Sequence, residues 1–223
     1  MEYRKHTSLK DLAQALGVSI PTVSRALKDS PEISRELCAK AKALAKEMNY
    51  RPNPFAMSLR KNAPRIIGVV VPDIVTHFFA SILNGIENMA IANGYFVIIT
   101  TSHESYEHEK RNIENLVNMR VEGIIACLSQ ETTDFSHISA LKDINMPLIL
   151  FDRVCLTDQF SSVIADGAQS AQMATQHLLD NGSKRVAFIG GANHLDIVKR
   201  RKHGYLEALR ENRIPIEKEL VVC

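Results

Sequence analysis

The hydrophobic period of this chain changes once, between Asn62 and Arg65, and that change limits the fold more than any other feature. Ahead of it, apolar residues recur three and four apart in short, cation-rich segments. Beyond it, short β-branched runs alternate with longer amphipathic ones. A helix-period pattern does not sit as a strand, nor the reverse. The chain is therefore expected to divide into a small helical unit, residues 1–62, and a larger α/β unit. Charge divides at the same place. The net charge of +2 splits into twelve Lys or Arg against six Asp or Glu in residues 1–62, and fifteen against nineteen beyond. A basic head on a mildly acidic body is what results when one unit meets phosphate and the other does not.

Within the head, Leu9, Leu12, Ala13 and Leu16 follow Thr7-Ser8, which can cap a helix start, and Gly17 stands where a helix ends. Ser19 can cap a second helix that holds Pro21 in its first turn and turns Val23, Ala26 and Leu27 inward. Ser34 can cap a third, with Leu37, Ala41, Leu44, Ala45 and Met48 as its stripe and Arg35, Lys40, Lys42 and Lys46 around it. Two short helices joined through Gly17-Val18-Ser19 fit a helix-turn-helix, whose second helix offers its first residues to the major groove. A generic helical bundle is the alternative on spacing alone.

The run from Leu9 to Leu27, with Val18-Ser19-Ile20-Pro21-Thr22-Val23-Ser24-Arg25 at its centre, resembles the DNA-binding signature of the lac and purine repressor (LacI/GalR) family. The likeness continues through Asn49-Tyr50-Arg51-Pro52-Asn53 and Ala56-Met57-Ser58-Leu59-Arg60. It implies a repressor that binds a pseudo-palindromic operator as a homodimer. Ile20 and Pro21 occupy the positions that choose bases, and both are apolar, so a thymine methyl suits them better than a hydrogen-bonding edge. Arg25 matches an arginine suited to guanine, Thr22 and Ser24 match phosphate contacts, and Ser19 stands among the DNA-binding residues. By itself Arg25 also fits a solvated helix charge. Asn53 and Pro54 can open a hinge helix over 53–61, too short to be stable alone. The resemblance implies that it folds over DNA with Ala56 and Leu59 in the minor groove. Met57 stands where relatives often carry Arg, implying one phosphate contact fewer; a flexible linker is the alternative.

From Arg65 onward, Ile66–Val71, Phe96–Thr101, Gly123–Leu128, Leu148–Phe151 and Val186–Ile189 read as strands, and 78–92 and 107–119 as helices. This predicts an α/β fold: a three-helix head plus hinge helix, then a partial periplasmic-binding-protein-like, doubly wound parallel sheet. Such sheets bind ligands beyond the carboxyl ends of their strands. Here that means Pro72-Asp73, His77 to Phe79, Ser102-His103, Ser129, Asp152-Arg153 and Gly190-Gly191. No G-x-G-x-x-G, Walker loop, G-x-S-x-G elbow or H-E-x-x-H occurs, so no catalytic group, cofactor or metal is expected. His103 and His108, flanked by acids, read as solvated surface.

The resemblance implies effector contacts at Phe78 and Phe79, an aromatic pair suited to stacking on a sugar or base; at Asp152, for hydroxyls; at Arg201, from Arg201-Lys202-His203-Gly204 in the second lobe; and at Asp166, near the crossing between lobes. Core packing for the phenylalanines and a strand-end turn for Asp152 are the plain alternatives. The effector class implied is a carbohydrate or a derivative. The first lobe is expected over 63–163 and the second over 164–223, with helices at 168–181 and 199–211. The family's core needs further units there, so an incomplete lobe with an uncovered sheet edge is expected.

Cys38, Cys127, Cys155 and Cys223 form no C-x-x-C and read as reduced. No signal-type or spanning apolar run occurs, which predicts a cytoplasmic, nucleoid-associated protein without a membrane partner. It also argues against a transport solute-binding protein, the other user of such a core.

Overall fold

A computed structural model describes residues 7–50 and 65–223; the expected hinge helix, with Asn53, Ala56 and Leu59, lies outside these residues. The chain separates into two compact units, Met1–Asn62 and Ala63–Cys223.

The first unit holds α1 (Leu9–Leu16), α2 (Ile20–Ala26) and α3 (Arg35–Glu47). Ser8, Ser19 and Ser34 each accept a hydrogen bond from the amide three residues on, satisfying an orphan donor of the first turn. Asp11 returns a bond to the Ser8 amide, closing a capping box. Gly17 ends α1 at φ +66°, a left-handed conformation that glycine takes without strain. Leu12, Ala13, Val23 and Ala45 form the centre of the core, with Leu9, Leu16 and Leu44 packed around them. Burying a side chain the size of Val23 stabilises by roughly 1.5–3 kcal/mol.

The second unit is built on β1 (Ile66–Val71), β2 (Phe96–Thr101), β3 (Gly123–Ala126), β4 (Leu148–Phe151) and β5 (Ser161–Val163), all parallel, in the order β2-β1-β3-β4-β5. The order reverses at β1, as in a doubly wound sheet. On one face Val70, Ile124 and Leu150 pack with Ile113 and Leu116 of α5 (Tyr106–Asn118) and Ile138 of α6 (Ser136–Asp143). On the other, Val69, Val71, Cys127 and Phe151 meet Phe79 and Leu83 of α4 (His77–Ala92). Beside α4 an apolar hollow of about 660 Å³ opens between Ile67, Ile82, Met89 and Ile125. The short helix α6 and strand β5 are additions to the elements legible in sequence, and β3 stops at Ala126 rather than Leu128.

Beyond β5, α7 (Gly167–Asp180) and α8 (Asp196–Glu211) pack side by side, and β6 (Phe188–Ile189) pairs with β7 (Val221–Val222). The expected strand from Val186 is shorter, because Val186 instead offers its carbonyl to the buried Tyr205 hydroxyl at 2.9 Å. Gly204 is required where the helices cross: a Cβ there would lie 1.9 Å from the Ala168 carbonyl oxygen. The four cysteines are free thiols, of which Cys38, Cys127 and Cys155 are buried and Cys223 is exposed. Burial pushes the Cys127 and Cys155 thiols up to about 12.

Candidate nucleic-acid interface and ligand cleft

In α2, Val23 and Ala26 are fully buried, which fixes the rotation of the helix about its axis. The opposite side then presents Ser19, Ile20, Pro21 and Arg25 to solvent, with Thr22 and Ser24 half-buried at its margins. Ile20 is 40% exposed, an apolar side chain left outside a well-packed core. The Thr22 amide donates to Ser19 Oγ, and the two hydroxyls lie 2.8 Å apart. The Arg25 guanidinium is already engaged, donating to Glu32 Oε2 at 2.7 Å. Both side chains are more than half exposed, so water screens the pair and a stronger anion can displace Glu32.

The expected cleft residues divide into core and surface. Phe79 is 6% exposed and packs on Phe151, 6.4 Å between ring centroids, whereas Phe78 is 50% exposed and meets Phe79 edge-on. Ser102 and Ser129, at the exits of β2 and β3, are fully buried and joined hydroxyl to hydroxyl at 2.8 Å. They brace the strand exits. Asp73 folds back onto the amides of Val75 and Thr76, and these bonds, the Val75 amide foremost, hold its carboxyl below the usual range. Gly190 and Gly191 carry no nucleotide-type loop.

Asp152 leaves β4 in the left-handed region, at φ 58°, half-buried. Burial raises its carboxyl above the ordinary value, and the charges of Arg153 and Arg201 pull it partly back. Arg201 is exposed, and its stem lies over Gly167, where a Cβ would meet Cγ at 3.3 Å. The charge of Arg201, on α8, thus reaches Asp152 at the exit of β4. Asp166 caps α7 by accepting from the Gln169 amide at 3.0 Å, so its carboxylate already serves the fold.

Arg153 was expected at a strand exit, but the polar partners gathered around it were not legible in the sequence. Arg153 makes a bidentate pair with Glu104, at 2.6 and 2.9 Å, and also donates to the Leu128 carbonyl. Burial alone would raise the Glu104 carboxyl, yet Arg153 and the Gln130 amide hold it below its ordinary value. The Gln130 carbonyl in turn accepts from His194 Nε2 at 2.8 Å, a bond between the segment after β3 and the segment before α8. Deeper lies Glu109, fully buried, accepting from the Ser129 amide, the Thr132 hydroxyl at 3.0 Å and His137 Nε2 at 2.9 Å. These partners are 20 to 64 residues apart in sequence, beyond the reach of any local pattern.

Residues 8–53 match the bacterial regulatory proteins of the lacI family, and residues 65–222 match the periplasmic binding proteins and sugar binding domain of LacI family. The chain belongs to the LacI family. This LacI-family chain is 31% identical to catabolite control protein A of Priestia megaterium over 97% of its own length and 65% of that protein's. It is 31% identical to the ribose operon repressor of Bacillus subtilis (strain 168), over 94% and 62% respectively. It superposes on the lac repressor dimer bound to operator and the anti-inducer ONPF with a TM-score of 0.72 and 26% identity, covering 95% of this chain and 64% of that one. The chain therefore spans under two thirds of the length of these relatives. No helix among the described residues is long and apolar enough to cross a membrane.

Proposed function

We propose that the chain is the DNA-binding and effector-sensing part of a transcriptional regulator, a repressor rather than an enzyme, acting as a homodimer on a pseudo-palindromic operator. The observation that carries this reading is the outer face of α2: Ser19, Ile20, Pro21 and Arg25 are exposed while Val23 and Ala26 anchor the same helix. Ile20 and Pro21 meet thymine methyls, Arg25 exchanges Glu32 for guanine O6 and N7, and Ser19, Thr22 and Ser24 hold phosphates. Asn53, Ala56 and Leu59 belong to the hinge helix of 53–61 that completes the head, residues 1–62.

The two lobes, 63–163 and 164–223, enclose a small-molecule effector, a carbohydrate or a derivative. Phe78 lies against its ring, Asp152 accepts its hydroxyls and Arg201 donates from the second lobe; Phe79 and Asp166 act by placing Phe78 and the crossing strand. The match to a sugar-binding domain supports this ligand class. Effector binding shifts the balance between lobe arrangements and so the DNA affinity. No cofactor is required, and the site of action is the cytoplasm, at the nucleoid.

A fluorescence anisotropy titration with a palindromic operator, at two salt concentrations and with Arg25→Ala as control, tests the reading. Specific binding falls steeply with salt and loses sequence preference in the variant. Equal affinity for scrambled DNA would sink it.

A further inference from the structure

Helix α2 carries a single charged side chain, Arg25, and the segment that follows the helix brings a carboxylate to it. The Ser30 amide donates to the Arg25 carbonyl at 3.1 Å and the Ile33 amide to the Ser30 carbonyl at 3.0 Å, so the chain turns back onto the end of α2. Ile33 packs against the cluster of Ala26, Cys38 and Ala41, and Pro31 fixes φ one residue ahead of Glu32. Asp29, at φ 52°, is tied to Lys42 of α3 at 2.5 Å. Glu32 is therefore carried on a loop that α2 and α3 both hold. The acids on either side of it have lysine partners, Asp29 with Lys42 and Glu36 with Lys40. Glu32 is paired instead with the arginine of the reading helix.

We propose that Glu32 is a specificity-determining residue of the head, an internal anion that keeps Arg25 from phosphate on non-operator DNA and yields it to guanine. This rests on the reading of α2 as the base-reading helix. Backbone phosphate offers Arg25 another singly charged oxygen anion in place of the one it already has, so that exchange gains little. Guanine presents O6 and N7 together, and the bidentate match discriminates by roughly five- to a hundredfold, against at most about fivefold for an exposed ion pair. The larger effect wins only at the correct base. On any other sequence Arg25 stays with Glu32, displaces no counterion, and the head binds with one phosphate contact fewer. The acid thus weakens generic attraction and leaves the specific contact in place.

The test is fluorescence anisotropy on the full 223-residue chain over a range of salt concentrations, with a duplex enriched from a random pool by the parent chain and a scrambled duplex of the same composition. Glu32→Gln is expected to bind the scrambled duplex about tenfold more tightly near about 0.1 M salt, with the slope of log affinity against log salt steeper by about one. On the enriched duplex it is expected to gain at most about fivefold with the slope unchanged, so selectivity falls. In an Arg25→Ala background the same substitution is expected to leave the slope on scrambled DNA unchanged, because the arginine through which Glu32 acts is gone. Circular dichroism melting checks that each variant is folded. An equal steepening in both backgrounds makes Glu32 a general repulsive charge and overturns the proposal. A pool from which no sequence is enriched removes the operator reading and this proposal with it; an enriched duplex whose selectivity survives Glu32→Gln removes this proposal alone.

Discussion

The head and the α/β unit begin their helices differently. Among the described residues, all three head helices start at a serine whose hydroxyl accepts a first-turn amide. Of the five helices in the α/β unit, α7 alone has such a cap, from Asp166, while α4, α5, α6 and α8 have no side-chain cap bond. Head helices of seven or eight residues are too short to be stable alone, so each cap removes part of a cost that packing must otherwise cover. The first helices of the second unit pack on a parallel sheet whose pairings join distant segments. Local signals specify the head; tertiary contacts specify the body.

Substitutions that act on only one kind of signal should separate the two units. The largest effect is expected from Gly204→Ala, because its new methyl meets backbone of α7 rather than a yielding side chain. A loss of about 3 kcal/mol or more is expected, confined to the α/β unit. Amide hydrogen exchange would show the head still protected; loss of protection in both units would break the comparison. Next, Ser19→Ala removes the α2 cap and should cost about 1 kcal/mol in the head alone, read as earlier thermal unfolding of its amides.

Acid should reach the body through Glu104. Its carboxyl is held below the ordinary value, so the stability it supplies is complete above the unfolded-state pKa and is lost as pH falls through the lower folded value. Melting temperature followed from pH 6 downward should therefore fall less steeply in Glu104→Gln than in the parent. A parallel fall would assign the acid sensitivity elsewhere.

The smallest effect on stability belongs to Asp152→Asn. The folded carboxyl is raised by burial, so burying its charge opposes folding, and removing the charge should leave stability unchanged or raise it by less than about 1 kcal/mol. Ligand binding should suffer instead. A marked loss of stability would give Asp152 a structural role and weaken its assignment to the effector.

Which parts of the fold were readable follows from the same contrast. Ser19, Pro21 and Gly17 announce α1 and α2 because their chemistry acts within four residues. Helix α6 starts at Phe135 with no side-chain cap, and β5 is three exposed residues, so neither carries a local signal. Asp152 and Arg201 were visible through the family pattern. Glu104 with Arg153, 49 residues apart, and His194 with Gln130, 64 apart, depend on the folded sheet bringing strand exits together. Phe78 and Phe79 look equivalent in sequence, yet α4 turns one to the core and the other to solvent.

The bond from His194 to Gln130 is the one hydrogen bond between residues 65–163 and residues 164–223 among the described residues. A single such bond contributes about 1 kcal/mol net, which biases a two-state equilibrium by roughly fivefold. Loss of that bond alone would shift such an equilibrium by no more than about that factor. A ligand that bridges the same residues would act on the equilibrium only through a difference in its affinity for the two arrangements.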